Sequence, residues 1–285
     1  MKRLCSAILW LIVFVSIAPG QGAKGPRFDV HPKPIASAKD VKYDYDIVYV
    51  RAPRYGDEKR IAWSEVFSPL RAEPGSDLML LHPDGTEEVL VAAGEDAITD
   101  PFVSFDGASV YFARYRNAKK PGGVKPESVS ADIFKMHVKS RTITQLTKQE
   151  FTPNTGVAVK GRRPEGIYNL GPCPLPGGKV MFTSNRNGFD PTKGYTPTVL
   201  QLFVMDDDGA NVELVGHLNI NSALHPTILK DGRVMFTSYE SQGLRDLREW
   251  ALWSIYPDGS NWGPLVSAFG PGATAYHLSL IHISE

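Results

Sequence analysis

Two histidines and one aspartate occupy equivalent positions in a repeated sequence pattern, and their side chains are of types that can bind a metal ion. Asp100 and His225 each precede a proline at the same place relative to a turn glycine, and His277 follows Ala275-Tyr276 as His225 follows Ala223-Leu224. Carboxylate and imidazole groups suit zinc or iron. Such residues at the start of a repeat also satisfy backbone groups between neighbouring repeats. We therefore expect a structural role for Asp100, His225 and His277, and a metal site is the alternative.

The sequence contains none of the common catalytic or cofactor motifs. Gly-x-Ser-x-Gly, a glycine-rich phosphate loop and His-Glu-x-x-His are all absent, and so is Cys-x-x-Cys-His, the attachment motif of c-type haem. Cys173 lies in Asn-Leu-Gly-Pro-Cys-Pro, where we expect a small buried side chain, since free cysteine is among the most buried residue types. We predict no catalytic residue and no cofactor for this chain.

Three consecutive aspartates, Asp206 to Asp208 before Gly209, resemble a calcium-binding loop at first sight. The segment lacks the alternating ligands and the distal glutamate of an EF-hand. We therefore expect a solvated turn here.

The elements that must position these residues repeat along the chain. Phe112, Phe182 and Phe236 fill one slot of a unit that comprises an inner strand, a tight turn, a buried strand, a loop and a third strand. Asp-Gly between two apolar runs, as at Asp231-Gly232, is a strong hairpin signal because glycine takes positive φ without steric cost. An earlier copy of the third strand lies at Asp77 to Gly85. The sequence thus predicts about four copies of one β unit.

Composition agrees with an all-β chain rich in turns. The 285 residues include 26 Gly and 22 Pro, which disfavours long helices. The 31 basic residues balance the 31 acidic ones, so neither a nucleic-acid groove nor a polybasic membrane patch is indicated.

The N-terminus has the pattern of a secretory signal peptide. Lys2 and Arg3 precede an apolar run from Leu4 to Ala18, and small residues follow at Gly20, Gly22 and Ala23. The run is short for a bilayer span, although an uncleaved anchor is the alternative. We expect export to the periplasm or the medium, with residues 1–23 as signal peptide and residues 24–45 as a flexible lead-in. No membrane association is expected after cleavage.

Two sets of residues carry a resemblance to a known family. Val180 to Arg186 with Leu202 to Asp206, and Val234 to Ser238 with Leu252 to Ile255, resemble the PD40 or TolB-type β-propeller repeat. More narrowly, residues 46–277 are similar to the middle, propeller domain of hydrazine synthase alpha-subunit-like bacterial proteins, through Asn169 to Gly178, Leu224 to Pro226 and Leu252 to Gly259. In hydrazine synthase the redox chemistry belongs to c-type haems, and this sequence lacks their motif. The resemblance therefore implies a domain and no reaction.

The last eight residues break the repeat. Leu278 to Glu285, LSLIHISE, resemble the translated read-through of a sequencing adapter. We expect residues 278–285 to be a non-native tail and residues 46–277 to be an incomplete, truncated β-propeller of about four blades.

Three functions remain open at this point. The first is an exported binding or scaffold domain that docks protein domains or subunits of its parent protein, with an unknown small ligand and no nucleic acid. The second is a fragment of a multidomain periplasmic redox protein whose haem c sites lie downstream. The third is a fragment of a hydrolase with a downstream catalytic domain. Because propellers host many activities, the fold does not decide among them. We expect the first, with no enzymatic activity in this chain and the redox protein as the alternative.

Overall fold

The structure of this chain is a computed structural model, and it describes residues 37, 42–53, 72–116, 130–153, 164, 166–189, 199–215, 222–240 and 249–266. The chain divides into two units, Met1–Val41 and Lys42–Glu285, and every strand lies in the second. The predicted signal peptide, the predicted tail and His277 lie outside the described residues. In the part that is described, no helix has the length and hydropathy needed to cross a bilayer.

Within the described residues, fifteen strands form four antiparallel sheets, which follow one another along the chain. The first sheet contains Ile47–Arg51 (β1), Asp77–Leu81 (β2) and Glu87–Val91 (β3), which correspond to the second, third and fourth strands of the other sheets. The second contains Ala97–Val103 (β4), Ser109–Tyr115 (β5), Ala131–His137 (β6) and Ile143–Gln145 (β7). The third contains Asn169–Leu175 (β8), Lys179–Ser184 (β9), Gln201–Asp206 (β10) and Glu213–Leu214 (β11). The fourth contains Ser222–Ile228 (β12), Val234–Glu240 (β13), Glu249–Ile255 (β14) and Gly263–Val266 (β15).

The phenylalanines that mark the repeat lie at the same place in three sheets. Phe112 pairs with Phe134 and Phe182 with Phe203 across neighbouring strands, with ring centroids 5.8 and 5.7 Å apart. Phe236 pairs with Trp253 in the same way. The three repeat phenylalanines are fully buried, and each packs against apolar side chains of the preceding sheet. Each such ring contributes about 1.5–3 kcal/mol, so the repeat positions hold successive sheets together.

Each sheet has an outermost strand that the sequence did not predict. The predicted unit contained three strands, whereas β3, β7, β11 and β15 add a fourth layer outside the third. These strands are short, and β7 and β11 are exposed along their whole length. β7 and β11 could not be recognised because a strand with little buried surface shows no apolar alternation.

Five Asp-Gly turns have one shared geometry. Each glycine has a left-handed φ of 68–89° and donates its N–H to the carbonyl three residues earlier, at 2.9–3.0 Å. Each aspartate accepts a hydrogen bond from the backbone N–H two residues later, at 2.9–3.1 Å. The five turns contain Asp84-Gly85, Asp106-Gly107, Asp208-Gly209, Asp231-Gly232 and Asp258-Gly259. All five join neighbouring antiparallel strands, as the sequence predicts.

The direction of the strands separates the connections into two groups. Tight turns join the third strand of each sheet to the fourth, and they lie at the same face as the turns that follow β4, β8 and β12. Segments 52–76, 116–130, 185–200 and 241–248 join second to third strands, so they begin and end at the opposite face. We call these the turn face and the loop face.

The first strands of successive sheets contact one another. β8 contacts both β4 and β12, which places these three strands together at the inner edge of their sheets. Backbone hydrogen bonds also cross from sheet to sheet, from Ile98 N–H to the Ser76 carbonyl at 2.9 Å and from Ala223 N–H to the Leu200 carbonyl at 2.8 Å. The inner strands therefore form the common axis on which the candidate site lies.

Candidate functional site

The inner strands β4, β8 and β12 carry the same backbone irregularity at the same position. Asp100, Gly171 and His225 have φ of 52°, 58° and 53°, and each lies where the pairing register of its strand shifts. Each precedes a proline, which has no N–H to donate to the strand ladder. The bulge turns the residue before proline out of the ladder and toward the neighbouring inner strands.

Gly171 allows the side chains of Asp100 and His225 to meet. Asp100 Oδ2 accepts a hydrogen bond from the Gly171 N–H at 3.1 Å and one from the Thr99 hydroxyl at 3.2 Å. Asp100 Oδ1 lies 3.7 Å from His225 Nδ1, and both side chains are only 18% exposed. A Cβ on Gly171 would lie 3.0 Å from Cδ of Pro226. Residues of β4, β8 and β12, which belong to three successive sheets, thus meet at the Asp100 carboxylate.

The electrostatics of Asp100 favour its ionised form. Burial acts to raise the pKa of its carboxyl group, but hydrogen bonding and charge attraction from His225 and the hydrogen bonds from Gly171 and Thr99 lower it by more. The net effect is a pKa below the usual value. The carboxylate is therefore a charged acceptor that joins three inner strands.

Of the three residues singled out in the sequence, the structure brings Asp100 and His225 together, and His277 lies outside the described residues. Among the described residues, no group of three or more His, Cys, Asp and Glu side chains is placed to hold a metal ion. The metal site that would add His277 to this pair stays a prediction.

A small cavity lies beside the pair. Its volume is about 10 Å³, and the residues that line it include Thr99, Asp100, Tyr115, Thr183 and His225. A space of this size holds about one water molecule. The cavity is therefore too small for an organic substrate.

A buried polar network at the second and third sheets has no counterpart in the sequence-based expectations. Asp132 accepts hydrogen bonds from Thr147 at 3.0 Å and from Asn169 at 3.1 Å, and Asn169 accepts one from the Ser184 hydroxyl at 2.8 Å. Burial raises the pKa of Asp132, against the hydrogen bonds from Gln149, Thr147 and Asn169, which lower it. Asp132 is the second residue of β6 in one sheet and Asn169 is the first residue of β8 in the next, so the network joins two blades.

Arg186 is a second buried charge at this junction. Its side chain is 2% exposed, donates to Glu150 at 3.2 Å and to Thr152 Oγ1 at 3.0 Å, and lies 5.9 Å above the ring of Phe203. Burial lowers the pKa of the guanidinium, and Glu150 opposes this effect. In the sequence, Arg186 stands out only through the motif Ser-Asn-Arg-Asn-Gly after a buried strand. Its hydrogen-bond partners Glu150 and Thr152 lie more than thirty residues away, so the motif does not identify them.

The three consecutive aspartates form a turn whose carboxylates have separate partners. Asp206 contacts Lys179 and Asn211, Asp207 contacts Lys135 and Tyr111 of the preceding sheet, and Asp208 accepts from the Ala210 N–H at 2.9 Å. The carboxylates therefore do not converge on one point, and this arrangement agrees with the expected turn.

Cys173 lies two residues beyond Gly171 on β8 and is fully buried. Burial raises the pKa of its thiol to about 12. Covalent haem attachment needs two accessible cysteines with two residues between them, and the sequence has only Cys5 and Cys173. The residues of this chain thus do not fit a c-type haem.

Comparisons with known proteins support the fold. No protein-family model matches the chain, and no curated protein matches it. Among solved structures, Kuenenia stuttgartiensis hydrazine synthase matches with a TM-score of 0.52 and 15% identity, over 80% of this chain and 32% of that one. A putative TolB from Agrobacterium tumefaciens matches with a TM-score of 0.47 and 22% identity, over 70% of this chain and 60% of that one.

These likenesses concern architecture, because at such identities only the fold is shared. The chain spans less than two thirds of either matched protein. The four antiparallel sheets and the likeness to hydrazine synthase agree with the sequence repeats. The prediction of an all-β chain with about four propeller blades is confirmed.

Proposed function

We propose that this chain is an exported β-propeller scaffold that docks other domains or subunits of its parent protein and has no catalytic activity of its own. The observation that supports this proposal is the use of polar groups at the axis. Asp100 and His225 hold inner strands together, and the cavity beside them has room for one water. This contact stabilises the packing of the inner strands, and the cavity beside it is too small to serve as a substrate pocket.

Binding is proposed for the loop face. The connections that begin and end there are longer than the turns of the turn face, and binding residues lie disproportionately on loops that a rigid scaffold holds. Arg116, an exposed basic residue that directly follows β5, lies at this face. Lys230, which is also basic and exposed, marks the turn face.

The proposal is tested by direct binding. The parent gene is sequenced beyond the codon for His277, the segment that follows is expressed separately, and its affinity for this chain is measured by titration calorimetry. We expect association at about micromolar Kd, weakened at least about tenfold by Arg116→Glu and unchanged by Lys230→Glu. No association, or equal effects of the two variants, would contradict docking at the loop face.

Export is part of the proposal and has its own test. The charged start and the apolar run from Leu4 to Ala18 support it. N-terminal sequencing of the protein from its native cells should give a mature chain that starts near residues 20–24. An intact N-terminus in the cytoplasm would contradict it.

The alternative is that the parent is a multidomain periplasmic redox protein with c-type haem. The likeness to hydrazine synthase supports this alternative. Since Cys5 and Cys173 cannot attach haem, the haem would have to bind elsewhere in the parent. Cys-x-x-Cys-His beyond His277, together with covalent haem in the purified parent, would favour it, and a downstream sequence without that motif would exclude attachment there.

A further inference from the structure

A row of four charged or titratable side chains joins the first blade to the second. Asp46 Oδ1 lies 2.9 Å from His82 Nδ1, and His82 Nε2 lies 3.8 Å from Glu88 Oε2. Glu88 Oε1 accepts a hydrogen bond from Arg141 Nη2 at 2.7 Å. Asp46 precedes β1, His82 follows β2, Glu88 lies in β3, and Arg141 lies in the turn between β6 and β7. The row therefore crosses the whole first sheet and ends on the second.

His82 has a carboxylate at each ring nitrogen. A neutral imidazole has one donor and one acceptor nitrogen, so only the protonated ring can donate toward both Asp46 and Glu88. Asp84, two residues beyond His82, adds a third negative charge. The hydroxyl of Tyr43 donates to the His82 carbonyl at 2.6 Å and fixes the backbone there. The surroundings are thus built to favour a positive charge on this residue.

Arg141 has a left-handed backbone in a turn whose counterparts in the other blades use glycine for this conformation. Its φ is 59°, and Gly85, Gly209 and Gly259 in those turns have φ of 83°, 89° and 87°. The turn that contains Arg141 is one residue longer. A left-handed conformation is unfavourable for a residue with a Cβ. Strain of this kind persists where the surrounding structure demands it, and here the Arg141 side chain reaches Glu88 of the neighbouring blade. A glycine at this position could not make that contact.

We propose that His82 is a proton-dependent tie. It joins the start of β1, through Asp46, to the other strands of the first blade and, through Glu88 and Arg141, to the second blade. When His82 is protonated, it bonds to Asp46 and attracts Glu88. When His82 loses its proton, the neutral ring can still donate to Asp46, but its charge attraction to Asp46 and Glu88 is lost. The first blade therefore loosens as the pH rises.

The sign of the effect follows from the surroundings of His82. The hydrogen bond with Asp46 raises the pKa of His82, desolvation opposes this, and the charges of Asp46, Asp84 and Glu88 add to the rise. A group whose pKa is raised by folding contributes stability that is complete below its unfolded value, about 6.5, and is lost as pH rises through the folded value. The contacts of protonated His82 thus stabilise the first blade in mild acid, and this stabilisation is lost in mild alkali.

Hydrogen exchange of the β1 amides tests the tie in the full chain. Protection factors of Val48 to Arg51, corrected for the intrinsic effect of pH on exchange, are compared at about pH 5.5 and about pH 8. We expect roughly two- to fivefold greater protection at the lower pH, the range of an exposed ion pair. His82→Gln should remove this difference.

His137 provides the matched control. It ends β6 in the second blade, and its N–H bonds across the turn to the residue before the fourth strand, as the His82 N–H does in the first blade. Its Nδ1 lies 3.2 Å from the Ser140 amide nitrogen and from the Ser140 hydroxyl oxygen. His137→Gln should therefore leave the pH dependence of β1 protection intact. The proposal is overturned if β1 protection does not change with pH, if His82→Gln keeps the wild-type difference, or if His137→Gln removes it.

Discussion

The axis of this molecule is formed by the inner strands, and by its rim we mean the turns between the third and fourth strands. Both place residues in the same left-handed backbone region, but for different reasons. At the rim, Gly85, Gly209 and Gly259 each follow an aspartate, and this turn signal specifies the conformation locally. At the axis, Asp100 and His225 adopt it although each carries a Cβ and precedes proline. Their side chains meet across Gly171, so contact between strands decides the backbone there. Local preference thus shapes the rim, and tertiary contact shapes the axis.

The largest effect is expected at a rim glycine that touches a neighbouring blade. A Cβ on Gly209 would lie 2.2 Å from the Leu146 carbonyl oxygen, and φ is 89°. Because a backbone atom cannot move aside, Gly209→Ala should lower the free energy of unfolding by about 3–4 kcal/mol in urea titrations.

Gly107→Ala is the matched control for this substitution. Gly107 ends the same kind of turn with φ of 68°, and a Cβ there would meet nothing within 4 Å. Its loss should be about 1 kcal/mol, the conformational cost alone. Equal losses for the two variants would show that the contact with Leu146 is unimportant.

The next largest effect is expected at the axis. Asp100→Ala removes the acceptor of the Gly171 N–H and the partner of His225, and should cost about 2–3 kcal/mol. Asp100→Asn keeps an acceptor oxygen and a residue that tolerates positive φ, and should cost about 1 kcal/mol. Urea unfolding monitored by tryptophan fluorescence gives both values. A harmless Asp100→Ala would mean that the axis does not depend on this contact.

Arg141→Gly also tests the comparison between axis and rim, because it places glycine at a rim position where a residue with a Cβ has a left-handed backbone. The substitution relieves about 1 kcal/mol of backbone strain and loses an exposed ion pair worth about 0.2–1 kcal/mol. We expect a net change smaller than about 1 kcal/mol, in the stabilising direction. The urea midpoint measures it, with Arg141→Asn as a control that tolerates the backbone and lacks the charge. A loss above about 2 kcal/mol would show that the ion pair outweighs the strain.

The smallest effect is expected from a thiol reagent applied to the folded chain. Cys173 is fully buried, and its thiol pKa is about 12, so little thiolate forms at neutral pH. Iodoacetamide at about pH 8 should leave Cys173 unmodified in the native protein and modify it completely in denaturant, as peptide mass spectrometry can show. Rapid native labelling would reveal frequent opening of β8.

Much of the fold could be predicted from the sequence, because its strongest signals are local. Phe112, Phe182 and Phe236 end apolar runs beside turn residues, and each lies buried where the repeat predicts. The outermost strands could not be predicted, since β7 and β11 have two or three exposed residues and no apolar alternation.

The candidate site was predictable only in part. A proline follows each of Asp100, Gly171 and His225, and this shared neighbour is enough to align the three inner strands from sequence. The network of Asp132 and Asn169 could not be predicted in this way, because its pairs depend on how one blade packs against the next.

The Asp-Gly turns also bear on how this protein ages chemically. In a flexible chain, the backbone nitrogen of the glycine attacks the aspartate carboxyl group, and the resulting ring opens to isoaspartate. Here that N–H is engaged with the carbonyl three residues earlier. Hydrogen bonds from nearby side chains and from backbone amides also lower the pKa of the carboxyl groups of Asp84, Asp106, Asp231 and Asp258, which keeps them ionised and unreactive. Isoaspartate at these turns would therefore accumulate mainly during the time that a blade spends unfolded.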